Sequence, residues 1–123
     1  MNDTATADDA RAAILATVLD YYEGWFDGDA ARMASALHPD LAKRSLEDDQ
    51  VVETITAREM IDGAAEGLGR REDPDERRVD ICVDHVQGSI ATAHASGAIY
   101  VDYLQLVLVD EHWRILNALW APA

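Results

Sequence analysis

The side chains of this 123-residue sequence that could do chemistry fall into three groups. Tyr21, Tyr22 and Trp25 follow Ile14 and Val18 at helical spacing, which sets two phenols and an indole on or beside a buried stripe. His38 and Lys43 flank the turn at Pro39, and Tyr103, Gln105 and Asn117 alternate along the two runs of a C-terminal hairpin. A phenol in a pocket donates a hydrogen bond. An imidazole serves as a general base near neutral pH, and a lysine at a pocket mouth holds an anion or, once desolvated, acts as a base or amine nucleophile. Buried amides need partners, and a pocket face is one place to find them.

Each group also has an ordinary structural use. Buried aromatic residues usually pack in the core with their polar atom bonded nearby. A histidine before proline can end a helix, and a lysine among many acids is commonly solvated or ion-paired. On this basis the candidate catalytic residues are Tyr21, His38 and Lys43, and the candidate substrate-binding residues are Tyr22, Trp25, Tyr103, Gln105 and Asn117. His85, His94 and His112 have weaker claims, because His94 alternates with small alanines and His112 lies in a turn. No two histidines share ligand spacing on one element, so no metal is expected. With no glycine-rich phosphate loop or nucleophile elbow either, no cofactor is expected.

The elements that must position these groups can be read in order. A helix is expected from about Ala7 to Phe26, opened by Thr6-Ala7-Asp8-Asp9 and ended at Gly28. Asp29 caps a shorter helix through Leu37, and Pro39 stops it. Leu41 to Glu47 and Val51 to Thr56 read as strands around an Asp48-Asp49 turn. Thr56-Ala57-Arg58-Glu59 is a capping box that opens a third helix ending at Gly67 and Gly69. Val79 to Val86 and Ala91 to Ser96 are alternating strands joined by Gln87-Gly88-Ser89. The chain closes on a long hairpin from Tyr100 to Trp120.

The register of that hairpin decides which side chains share a face. A three-residue loop pairs Val109 with Trp113 and groups Val101, Tyr103, Gln105, Val107, Trp113, Ile115, Asn117 and Leu119 on one side. A two-residue loop pairs Val109 with His112 and moves the second strand's residues to the opposite faces. The first is the preferred register, and both faces are largely apolar in either. An outer face around Leu104, Leu106, Leu116 and Trp120 is then expected to need a second cover, such as another subunit.

Composition narrows the function classes. A formal charge of -14 excludes a general positive field for nucleic acid or anionic membrane. The lone Cys82 excludes an intrachain disulfide and a cysteine metal site. Met1 to Ala7 lacks the basic and apolar regions of a signal peptide and no apolar run reaches spanning length, so a cytoplasmic protein is expected. Helices segregated from antiparallel strands give an α+β fold, and the length suits one domain over residues 1–123.

The element order and the segments Tyr21-Tyr22-Glu23-Gly24-Trp25-Phe26-Asp27-Gly28-Asp29, Leu37-His38-Pro39-Asp40-Leu41-Ala42-Lys43-Arg44, Val101-Asp102-Tyr103-Leu104 and Trp113-Arg114-Ile115-Leu116-Asn117 resemble the nuclear transport factor 2-like (SnoaL-like) superfamily. Within it the sequence is most similar to the bacterial branch called "Putative lumazine-binding". The resemblance implies a cone-shaped curved antiparallel sheet packed on three helices from the N-terminal half. It also implies a pocket between sheet and helices and a homodimer through the outer sheet face. Superfamily members range from ketosteroid isomerase, scytalone dehydratase and limonene epoxide hydrolase to non-catalytic binding domains, so the fold alone selects no reaction.

Set against ketosteroid isomerase, Tyr21 falls where that enzyme has its oxyanion-hole tyrosine. The general-base aspartate falls near Ser45 and the protonated aspartate near Gln105. Serine cannot replace a carboxylate base, so the isomerase chemistry itself does not carry over, while Tyr21 and Gln105 remain a candidate oxyanion-binding pair. Two functions are therefore expected to compete. One is a small-molecule pocket acting on an apolar or aromatic metabolite, as a cofactor-free isomerase, dehydratase or cyclase using acid/base chemistry. The other is a non-catalytic homodimerisation or ligand-binding domain.

Overall fold

The computed structural model describes residues 3–52 and 54–123, with side chains from residue 7 onward. The elements are α1 (Asp3–Asp27), α2 (Ala30–Ala36), β1 (Leu37–Glu47), β2 (Gln50–Val51), α3 (Ala57–Ala65), β3 (Val79–Gln87), β4 (Ile90–Gly97), β5 (Tyr100–Val109) and β6 (His112–Pro122). The three helices pack on one six-stranded sheet of order β2-β1-β6-β5-β4-β3. It is antiparallel except for β1 and β6, which run parallel, so the sheet is mixed. The β1–β6, β3–β4 and β5–β6 pairings each contain a register break. Such bulges bend strands, and they curve this sheet around its helices.

Local chemistry explains most boundaries. Gly28, at φ +68°, terminates α1 in the left-handed region that side chains avoid. The Asp29 carboxylate then accepts from the Arg32 amide at 3.1 Å and caps α2. Thr56 and Glu59 form the expected reciprocal capping box on α3. Three boundaries differ from the sequence expectation. α1 already runs from Asp3, so Thr6 lies within it and is not its cap. α2 stops at Ala36 and Leu37 opens a strand that continues through His38 and Pro39. The expected strand Val51 to Thr56 is reduced to Gln50–Val51 and an isolated bridge between Lys43 and Ile55, while its Glu53 lies outside the described residues.

The core lies between the concave sheet face and the helices. Ile14 and Val18 of α1, Met33 of α2, Leu104 and Leu106 of β5 and Ile115 of β6 are almost wholly buried there. Full burial of one such aliphatic side chain contributes about 1.5–3 kcal/mol, so this cluster holds the helices on the sheet.

The final hairpin departs from the preferred register. Val109 pairs with His112, and the two-residue turn Asp110-Glu111 has φ of 51° and 64°, the left-handed pair of a type I′ turn. That turn places Trp113 and Ile115 on the same face as Leu104, Leu106 and Leu108. A bulge then intervenes: Leu106 pairs with Ile115 and Gln105 with Asn117, which leaves Leu116 unpaired. The extra residue reverses the alternation, so Ala118 and Trp120 turn inward with Asp102. The expected outer face around Leu104, Leu106, Leu116 and Trp120 is thus corrected. Leu104 and Leu106 are core, Trp120 lines an inner cavity, and only Leu116 belongs to the outer side.

Candidate functional site

Between the helices and the concave sheet face a cavity of about 130 Å³ is bounded by Tyr21, Tyr22 and Trp25 of α1, Lys43 of β1, Ile55, Met60 of α3, and Tyr100, Asp102 and Trp120 of the final hairpin. The helical repeat brings Tyr21 and Tyr22 inward, both under 5% exposed. Trp25 lies flat over Gly69, where a Cβ would overlap the indole, and its Nε1 donates to the Tyr100 hydroxyl at 3.3 Å. Alternation along β1 buries Leu41, Lys43 and Ser45 together. The Lys43 backbone is held on both sides, by β6 and by paired hydrogen bonds to Ile55 at 3.0 and 2.7 Å.

The Lys43 amine is inside the protein, with the residue 8% exposed. Nζ donates to the Tyr21 hydroxyl at 2.5 Å, approaches Met60 Sδ at 3.7 Å, and faces the rings of Tyr21 and Trp120 at 5.1 and 5.4 Å from their centroids. Burial lowers its pKa to about 8, against the opposing pull of Asp102. Asp102 is 2% exposed, and its Oδ2 accepts a hydrogen bond from the Tyr22 hydroxyl. Burial raises the Asp102 pKa, while the Lys43 charge and the Tyr22 bond oppose that rise. Burial likewise pushes Tyr21 and Tyr22 well above the ordinary phenol range, so both keep their protons at neutral pH and act as donors.

Two polar atoms on this wall have no protein partner among the described residues: Asp102 Oδ1 and Trp120 Nε1, an acceptor and a donor. They belong to directly opposed residues of β5 and β6. An unpaired buried polar group costs about 1–3 kcal/mol, so two in one cavity need an explanation. A small ligand presenting a donor beside an acceptor satisfies both. The Lys43 amine and the free Tyr21 proton add a cationic and a neutral donor on the facing wall.

The sequence candidates divide between two places. Tyr21, Tyr22, Trp25 and Lys43 come together in the cavity. Tyr103, Gln105 and Asn117 also come together, but on the convex face, around a larger depression of about 620 Å³. There Asn117 Nδ2 donates to Gln105 Oε1 at 3.0 Å and Tyr103 is 61% exposed. Gln105 is therefore separated from Tyr21 by the sheet, and the two do not form an oxyanion-binding pair. His38 is remote from both groups: its Nδ1 accepts from the Asp40 amide at 3.0 Å beside Pro39, Val109 and His112. Sequence reasoning missed Asp102, Tyr100 and Trp120. The signal that finds Asp102 is its alternation with Leu104 and Leu106 along β5, once the helices cover that face, and the turn and the bulge cancel to set Trp120 opposite it. No group of three or more histidine, cysteine or acidic side chains able to hold a metal occurs among the described residues. Nor, among them, is any helix long and apolar enough to cross a membrane.

Residues 9–121 match the model of the family described as "Putative lumazine-binding". Among solved structures, an NTF-2 like protein of unknown function from Silicibacter pomeroyi is 19% identical, with a TM-score of 0.79 over 95% of this chain and 98% of that one. An NTF2-like protein of unknown function from Shewanella baltica is 15% identical, with a TM-score of 0.70 over 94% of each chain. A function-unknown protein from Mycobacterium tuberculosis is 16% identical, with a TM-score of 0.70 over all of this chain and 77% of that one. These likenesses establish the fold. No curated protein matches the chain.

Proposed function

The chain belongs to the Putative lumazine-binding family of the NTF2-like superfamily, and from that premise we propose that it is a single-domain pocket protein for a compact, flat, partly polar small molecule, acting on it by acid/base chemistry without a cofactor. The observation that carries the reading is the unpartnered Asp102 Oδ1 in a buried cavity. A carboxylate whose pKa is raised by burial moves toward the range in which it can take a proton at neutral pH. Tyr21, neutral and backed by the Lys43 amine, is placed to donate to an oxygen that gains charge as the proton leaves. Proton removal beside a carbonyl followed by return at another carbon is an isomerisation. Loss of hydroxide after the same removal is a dehydration, and closure onto the carbonyl is a cyclisation. Asp102, Tyr21 and Lys43 are the proposed reacting groups, with Tyr22, Trp25, Tyr100 and Trp120 as binding walls.

Lumazine, the compound in the family's description, is a fitting first probe. It is flat and carries N–H and C=O groups side by side, the complement of Asp102 Oδ1 and Trp120 Nε1. In a calorimetric titration the wild type is expected to bind it, and Asp102→Asn to weaken binding about tenfold, the loss of roughly 1.4 kcal/mol from one charge-assisted hydrogen bond. If neither lumazine nor small aromatic ketones bind the folded wild type, the pocket reading is wrong.

The convex face supports a second reading, a homodimerisation domain. Ile90, Tyr103 and Leu119 are 59%, 61% and 50% exposed there, and Leu116 and Val107 line the same side. Equilibrium sedimentation checks it: self-association should be lost in Tyr103→Asp, and a wild type that stays monomeric at tens of micromolar, on the order used for such tests, removes the reading.

A further inference from the structure

We propose that Lys43 is an amine nucleophile that captures an aldehyde or ketone in the cavity as an imine. The inference rests on the pocket reading above and goes beyond it in assigning a covalent step and a carbonyl substrate class.

Four observations carry it. Lys43 is the only lysine among ten basic side chains, so arginine supplies every other side-chain cation of this kind. The one residue type whose nitrogen can shed its proton and attack is thus reserved for the cavity, and an arginine there could not do the same. The amine makes no ion pair with a carboxylate among the described residues. Its neighbours are the Tyr21 hydroxyl, a thioether and two aromatic faces, so no bonded anion pins it in the charged form. The backbone is clamped between β6 and Ile55, which aims the side chain into the cavity.

The titratable groups facing the cavity are Tyr21, Tyr22, Tyr100 and Asp102. Burial raises the Tyr21 and Tyr22 phenols above their ordinary range, so both are uncharged at neutral pH. Burial brings the amine's pKa to about 8, which leaves an appreciable neutral fraction near neutral pH.

The step balances without a further reagent. The amine lone pair forms the C–N bond while the carbonyl π pair moves onto oxygen, which gains a proton donated through Tyr21 as nitrogen loses one. The carbinolamine hydroxyl takes one further proton, relayed from solvent through the Tyr21 hydroxyl, and leaves as water while nitrogen supplies the electron pair and retains its own proton. Amine, carbonyl and one proton give an iminium ion and one water. The cation formed stays where the ammonium had been, between the Tyr21 and Trp120 rings and near the Asp102 carboxylate, so the site's charge balance is kept.

The test uses the full chain with benzaldehyde and sodium cyanoborohydride, whose hydride reduces the iminium to a stable secondary amine. Peptide mapping by mass spectrometry then locates the benzyl group. Only two amines exist to compare, Lys43 and the chain's α-amine. At pH 7 Lys43 in the folded protein should be labelled at least about tenfold faster than in urea, where its pKa returns to the ordinary lysine range. The folded rate should level off above pH 8, following the amine's pKa of about 8. Lys43→Arg should lose the internal adduct. Labelling of the α-amine alone, or no excess of folded over unfolded labelling, overturns the imine. If lumazine still binds in that case the pocket reading survives; if neither lumazine nor benzaldehyde binds, both fall. The wild-type mapping needs no variant, so a misfolded Lys43→Arg does not blunt the test.

Discussion

The two faces of the final hairpin carry similar side chains and treat their polar atoms in opposite ways. On the convex face Asn117 bonds Gln105 across the strands, and His94 bonds Asp84 at 2.8 Å while stacking on Tyr103. Solvent reaches all of these groups, so their pairing is worth little and leaves nothing unpaid. On the concave face Asp102 and Trp120 also oppose each other, yet one atom of each lacks a protein partner and both atoms are buried. A polar atom tells more about function by what it lacks under burial than by its type. The same amide or carboxylate is neutral information at 3.0 Å from a surface partner and a binding hypothesis in a closed cavity.

That comparison can be broken by changing the wall behind the cavity. Gly69→Ala puts a methyl group into the Trp25 indole. It should cost about 3 kcal/mol of stability by chemical denaturation and abolish lumazine binding, because the displaced Trp25 is a wall of the cavity. A mutant that keeps both properties would show that Trp25 is not a fixed wall.

The inner face also predicts a pH signature. Lys43 has a folded pKa of about 8 against an ordinary 10.5. Between these values the unfolded chain binds more protons than the native one, so stability rises with pH above 8. Tyr21 and Tyr22, raised by burial, act in the reverse sense: above about pH 10 the unfolded phenols ionise first and stability falls again. Urea titrations should show a net gain of about 1 kcal/mol from pH 8 to a maximum just below pH 10, the lysine gain less the early loss from the two phenols. Lys43→Met should flatten the rising limb, and an unchanged rise in that variant would place its origin elsewhere.

The smallest effect is expected outside. Asn117→Ala removes the bond to Gln105 on a solvated face and should cost about 0.5 kcal/mol, with lumazine affinity unchanged. A tenfold loss of affinity in that variant would move the site to the convex side.

Much of the architecture was legible because it rests on local signals. Gly28 and Asp29 marked the break between α1 and α2, the Thr56–Glu59 box marked the start of α3, and strand alternation set Lys43 on one face with Leu41 and Ser45, a face the structure buries. Four of the nine cavity-lining residues were legible in this way or from helical spacing along α1, namely Tyr21, Tyr22, Trp25 and Lys43. Those of the final hairpin were not. Both faces of the hairpin are apolar, so hydrophobic pattern gave no vote on which was covered, and Asp110-Glu111 is not a strong two-residue turn signal. The bulge at Leu116 has no mark in the sequence at all.

By itself, then, the sequence determined the elements, their order and a lone lysine sharing a strand face with Leu41 and Ser45, since propensity, caps and alternation act within a few residues. The tertiary structure decided that Asp102 and Trp120 look inward while Tyr103, Gln105 and Asn117 look out. That choice depends on which side of the sheet the helices cover, because the turn and the bulge each shift the alternation of β6 by one residue and cancel beyond Leu116.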